Sequence, residues 1–200
     1  MSPRNGAPAI VFLKQTASLR HWFVELGVDL AAELGPSLMY TSVPTDTRQG
    51  ALRILAAPEY RKATDLVRLR TWFNYFLRAI RLVWRMPVTP LLFIVAQPPY
   101  LPIIGYLRNL LLGQRYVVWI DDVYPDTIVR HRRLTARNPL VRLWRRLNRL
   151  MLSRAERVFT LGPCMAEVLR PYVASDTRGD RIVIVPTWVD ADAIGPLPKD

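Results

Sequence analysis

Cysteine is almost missing from this 200-residue chain: Cys164 stands alone, which excludes an internal disulfide. Histidine is nearly as scarce. Neither His21 nor His131 has a carboxylate or second ligand at metal spacing, so no metal site is expected. The opening residues MSPRNGAPAI lack the charged and then long apolar stretch of a signal peptide, which points to the cytosol. An unbroken run of bilayer length is also absent. The nearest is 90–113, but Pro98, Pro99 and Pro102 interrupt it, and Gln97 and Arg108 would lie in hydrocarbon. There is no internal repeat and no low-complexity tract.

Acids are few as well: 16 against 28 basic residues, for a net charge of +12. Lysine is rare among the cations, only Lys14, Lys62 and Lys199, so nearly all the positive charge is arginine. Such a field attracts nucleic acid, anionic lipid or phosphate-bearing substrates.

Half of the residues are hydrophobic, enough for one domain with a sizeable core. Apolar runs at 9–13, 38–42, 51–57, 91–96, 116–120, 157–161 and 181–185 read as strands. Several are apolar throughout, as strands buried on both faces are. Helical patterns alternate with them, predicting an α/β domain with a mostly parallel sheet between two helical layers. The first helix is capped by Ser18, carries Leu19, Trp22, Phe23, Leu26 and Leu30 at helical spacing, and stops at Gly35-Pro36.

Two helices carry the charge. Over 65–86, Arg70, Asn74, Arg78, Arg81 and Arg85 form one stripe, opposite Leu69, Trp72, Phe73, Phe76, Leu77, Ile80, Val83 and Trp84. Two readings of this stretch stand side by side: a surface helix on a membrane, with Trp72, Phe73, Phe76, Arg78, Arg81 and Arg85 facing lipid, or a helix packed by its aromatic stripe on its own sheet. The next opens at Asn138-Pro139 and predicts Leu140, Leu143, Trp144, Leu147, Leu150 and Met151 inward, with Arg142, Arg145, Arg146 and Arg149 outward. Between 130 and 157 the only acid is Glu156, which makes this the most positive region.

Four segments then fall in an order that carries a resemblance: LLFIVAQPPYLP, YVVWIDDVYPDTIV, NRLMLSRAERVFTLGPCM and RIVIVPTWVDADAIGPLPKD. From residue 91 onward the chain resembles the family 4 glycosyltransferases, particularly those of bacterial envelope and exopolysaccharide synthesis. Residues 1–90 match only in outline, and the loop after the first strand reads KQTASLRHW where the family usually has a glycine pair. The resemblance implies the N-terminal, acceptor-side half of a GT-B enzyme: a Rossmann-like domain over 1–194 and an interdomain linker over 195–200. The donor-binding domain, with its UDP- or GDP-sugar, would be absent and the half inactive by itself. No cofactor is expected in this chain.

On that reading Asp122 is the candidate catalytic base for hexosyl-type transfer, since attack by an acceptor hydroxyl needs a proton acceptor nearby. Gln97, Tyr100, Asp121, Asp126 and Arg130 are candidate substrate-binding residues, and Trp188 and Asp190 would face the hinge. Asp121, Asp122 and Asp126 also suit a turn and helix cap, and the prolines beside Gln97 suit a turn. The implied partners are a lipid-linked or glycan acceptor, the donor domain and an anionic membrane surface, with the chain peripheral on the inner face of the plasma membrane. The alternative is a basic membrane- or nucleic-acid-binding module without catalysis. Against nucleic acid, the aromatics sit mainly on apolar helical faces and no usual nucleic-acid-binding signature is present.

Overall fold

In the computed structural model, residues 7–16, 22–61, 63–131, 135–173 and 181–186 are described. Ser18, His21, Trp188, Asp190 and the 195–200 linker lie outside them. The strands are β1 (Ile10–Leu13), β2 (Ser37–Thr41), β3 (Thr47–Gln49), β4 (Leu52–Ala56), β5 (Leu91–Val95), β6 (Tyr116–Ile120), β7 (Val158–Thr160) and β8 (Ile182–Ile184). The helices are α1 (Trp22–Leu34), α2 (Asp65–Trp84), α3 (Ile103–Leu112), α4 (Asp126–Arg130), α5 (Pro139–Ser153) and α6 (Pro163–Leu169), followed by a 3-10 turn at Arg170–Tyr172.

All eight strands form one sheet in the order β3-β4-β2-β1-β5-β6-β7-β8. Every pairing is parallel except β3 with β4. The seven expected strands are present. The polar edge strand β3, sequence TRQ, has no apolar signal by which to find it. The domain is a Rossmann-like α/β sandwich.

Strand alternation divides the core in two. Phe12, Phe93 and Trp119 point to the α1 side, where they meet Phe23 and Val24. Val11, Leu13, Ile94 and Val118 point to the other side, where Tyr75 and Ala79 of α2, Ile104 of α3 and Leu152 of α5 cover them. Thus α2, α3 and α5 share one helical layer. Arg108 of α3 ties it together from within: buried, it donates from Nε to Gln114 (2.6 Å) and from Nη2 to the Met86 and Pro87 carbonyls (3.0 and 3.1 Å).

Capping explains the helix boundaries. Thr64 accepts the Val67 amide at the start of α2, and Asn138 accepts the Leu140 amide ahead of Pro139 in α5, as its Asn-Pro signature predicts. Gly113 closes α3 with φ +70°, a left-handed residue that suits glycine.

Two helices are rotated from the expected phase. In α5 the buried residues are Val141, Asn148, Met151 and Leu152, while Leu140, Leu143, Leu147 and Leu150 are exposed. Polar anchoring at this helix overrides its apolar periodicity: Asn148 donates to the Tyr124 carbonyl and Arg145 pairs with Asp126, turning those residues toward the body. In α2 the buried residues are Tyr75, Ala79 and Val83, leaving Leu69, Phe73, Leu77 and Trp84 exposed. Tyr75 sets that phase, its hydroxyl donating to the Tyr40 carbonyl at 2.9 Å and its ring stacking on Tyr40.

The segment 90–113 folds as β5, a proline turn and α3. No helix among the described residues is long and apolar enough to cross a membrane.

Candidate functional site

From β1 the chain moves outward to β2 and β4, then returns through α2 to β5 on β1's other side. The reversal opens a crevice at the carboxyl ends of β1 and β5, where ligands of such sheets bind. Because β5 and β6 are adjacent and parallel, the turns at 97–100 and 121–126 stand side by side on this rim.

After β6 the rim becomes a cavity of about 480 Å³ lined by Asp121, Asp122, Asp126, Arg130, His131 and Cys164, with apolar walls from Val123, Met165 and Val168. Four of the sequence candidates, Asp121, Asp122, Asp126 and Arg130, therefore share one space, but in different states. Asp121 accepts the Trp119 indole N–H at 2.6 Å, which fixes its direction. Asp122 is exposed as a residue, although its carboxyl is partly desolvated. Burial of its carboxyl, and secondly the charge of Asp121, push its pKa above the ordinary carboxylate value. A carboxyl shifted that way is a better proton acceptor near neutral pH than a free aspartate.

Asp126 is occupied. Its Oδ1 takes Arg145 Nη2 at 2.5 Å and Nε at 3.1 Å, and its other oxygen takes the Tyr172 hydroxyl. Burial, followed by the Asp126 bond, raises the Tyr172 pKa to about 12, so the hydroxyl stays protonated and donating. This clasp joins α4, α5 and the 3-10 turn.

Gln97 and Tyr100 are one strand over and do not line the cavity. Gln97 gives its backbone carbonyl to the Gln15 amide at 3.4 Å. The Tyr100 ring meets Trp72 and Phe76 edge-on at 6.5 and 5.3 Å, and burial raises its pKa to about 12. Of the residues expected to face lipid, Phe73, Arg78, Arg81 and Arg85 are exposed, whereas Trp72 and Phe76 are half-buried against Tyr100.

Comparison with known proteins gives a fold and no sequence family. No family model matches the chain, and no curated protein matches it in sequence. A chain of sucrose-phosphate synthase from Thermosynechococcus elongatus shares the fold. The TM-score is 0.55 over 92% of this chain and 91% of that one, at 15% identity. That protein is a GT-B glycosyltransferase. At this identity the likeness concerns the arrangement of the chain, and the chemistry has to come from the rim.

The sequence reading missed residues at that rim. Lys14 and Gln15, directly after β1, are buried. The Lys14 ammonium lies over the rings of Trp22 and Phe23 at 5.0 and 4.9 Å. Burial lowers its pKa, while attraction to Asp121 partly offsets that. The sequence did hold a signal: a lysine at the carboxyl end of a wholly apolar strand. His131 and Cys164 also line the cavity. Among the described residues no cluster of His, Cys, Asp or Glu suits a metal ion.

Proposed function

We propose that this chain is the acceptor-binding half of a glycosyltransferase, moving a sugar from a UDP- or GDP-sugar to a lipid-linked or glycan acceptor in cell-envelope polysaccharide synthesis. The observation that carries the reading is the cavity at the end of β6, which Asp122, with a raised pKa, and Arg130 both line. The fold shared with sucrose-phosphate synthase agrees with it.

In this scheme an acceptor hydroxyl enters beside Asp122, whose carboxylate takes its proton as the oxygen attacks the anomeric carbon of the donor. The sugar leaves its nucleotide, which departs as the diphosphate. Asp121, held by Trp119, keeps negative charge next to Asp122 and so favours that proton transfer. Arg130 offers a guanidinium fork to phosphate or hydroxyl oxygens of the acceptor. The nucleotide sugar is held by a second, donor-binding domain, without which no transfer takes place. The domain works in the cytoplasm at the inner face of the plasma membrane, with basic α2 against anionic lipid.

The test is amide NMR of the chain titrated with free glycans, detergent-dispersed lipid-linked glycans and nucleotide sugars. Glycan acceptors are expected to shift the 121–131 amides, and Asp122→Ala with Arg130→Ala to abolish the shifts. Shifts from nucleotide sugars but from no glycan in the panel would overturn the assignment of this half to the acceptor.

A further inference from the structure

We infer that the apolar stripes left open on α2 and α5 form a single surface that seats the domain on an anionic bilayer. On α5, leucines 140, 143, 147 and 150 recur at three- and four-residue steps, a stripe lying roughly 100° or more around the helix from the buried face. Leu140 is 67% exposed and Leu143 55%. On α2, Phe73 is 57% exposed and lies between exposed Leu69 and Leu77. Both helices cover the same face of the sheet, with α3 between them, and Leu111 at the end of α3 is 65% exposed. Arg154 reaches Asn109 from the end of α5, and Arg108 lies under the Trp84 ring of α2, so the three helices form one layer. Exposed apolar side chains on three neighbouring helices of one layer are the kind of surface that marks a docking site.

The charges bordering the patch select the occupant. Helix α5 contains no acidic residue, and the one acid of α2, Asp65, sits at its first turn paired with Arg68. Arg70 and Arg81 on α2 and Arg142 and Arg146 on α5 are exposed. The partner must therefore be anionic at the rim and apolar beneath. Anionic headgroups over acyl chains provide both, and amphipathic helices of this kind lie in that interface. A second copy of the chain would bring arginine against arginine, and a duplex has no apolar layer to receive leucines. The inference specifies the membrane partner named above, yet it stands or falls separately from sugar transfer. Vesicle binding and glycan binding are read in different assays.

The test is co-sedimentation of the full chain with phosphatidylcholine vesicles and with mixed phosphatidylcholine and phosphatidylglycerol vesicles, across a salt series. Binding is expected only to the mixed vesicles. Leu143→Gln with Leu147→Gln should weaken it by about tenfold or more at every salt concentration, since the leucines insert and the substitution adds no charge. Phe73→Ser should weaken it in the same salt-independent way. Arg142→Gln with Arg146→Gln should weaken it roughly fivefold per arginine at low salt, a difference that closes at high salt. These side chains are exposed, so circular dichroism and melting should match the parent and separate lost docking from lost folding. Equal binding of the leucine variant and the parent overturns the proposal. So does a solution dimer that the leucine variant disperses in the absence of any vesicle binding.

Discussion

Replacing Asp126 tests whether this carboxylate in the cavity wall holds the fold together. The carboxylate takes two N–H groups of Arg145 and the Tyr172 hydroxyl, and the Arg145 and Asp126 side chains are 29% and 22% exposed. An ion pair on the open surface contributes about 0–1 kcal/mol, and breaking a fully buried one costs about 3–5 kcal/mol. Three charge-assisted bonds at intermediate exposure place Asp126→Ala at about 2–3 kcal/mol. For a chain of this size that lowers the melting temperature by about 5–10 °C. Arg145→Met should cost a similar amount, because it leaves a carboxylate with only a tyrosine. The double variant should recover about 1–2 kcal/mol relative to the sum, since the two changes remove one shared interaction. Urea denaturation of the four proteins in the cycle measures this. A single variant melting with the parent, or strict additivity, would refute the clasp and return Asp126 to the binding residues.

Three further outcomes follow from the same geometry. Asp121→Asn removes the second cause of the raised Asp122 pKa, so a carbon-13 titration of Asp122 should move to lower pH, and with a donor-binding domain supplied the acid limb of the transfer rate should move with it. A shifted titration with an unmoved rate limb would exclude Asp122 as the base. Because the folded-state pKa is raised, ionisation of Asp122 costs stability as pH climbs through it, and Asp122→Asn should gain on the parent above that point. Gly105→Ala would place a Cβ 2.6 Å from Tyr116 and 2.8 Å from Ile94, both buried, with the Tyr116 hydroxyl fixed on the Met151 carbonyl. An overpacking cost of about 1–3 kcal/mol should exceed the helix gain of about 1 kcal/mol, and a rise in melting temperature would refute the close approach. Arg108→Lys should destabilise by about 1–3 kcal/mol in urea, because an ammonium cannot reach Gln114 and both the Met86 and Pro87 carbonyls as the fork does.

The sheet was legible because its strands are apolar on both faces. LLFIV and YVVWI have no other stable environment than between two helical layers, and the alternation with helices then dictates parallel pairing. Helix positions were legible from caps such as Asn138-Pro139. Helix rotation was not. Periodicity assumes that the most apolar face turns inward, and in α5 that assumption fails because Asn148 and Arg145 have fixed partners in the Tyr124 carbonyl and Asp126. Those partners are 24 and 19 residues away, beyond the reach of any local pattern.

The same limit explains the site. Asp121 and Asp122 could be found because they follow directly on a recognisable strand, and a parallel sheet puts every such strand end on one rim. Their different roles arise from contacts across the sheet. Trp119 orients Asp121, Lys14 approaches it from β1, and Asp122, partly desolvated and beside the Asp121 charge, holds its proton more tightly. Asp126, which looks equivalent in the string DDVYPD, has its carboxylate taken up by residues 19 and 46 positions further on. Three aspartates within six residues thus become an oriented carboxylate, a carboxyl with a raised pKa and a structural anchor, and the distinction lies in what the tertiary fold sets opposite each one.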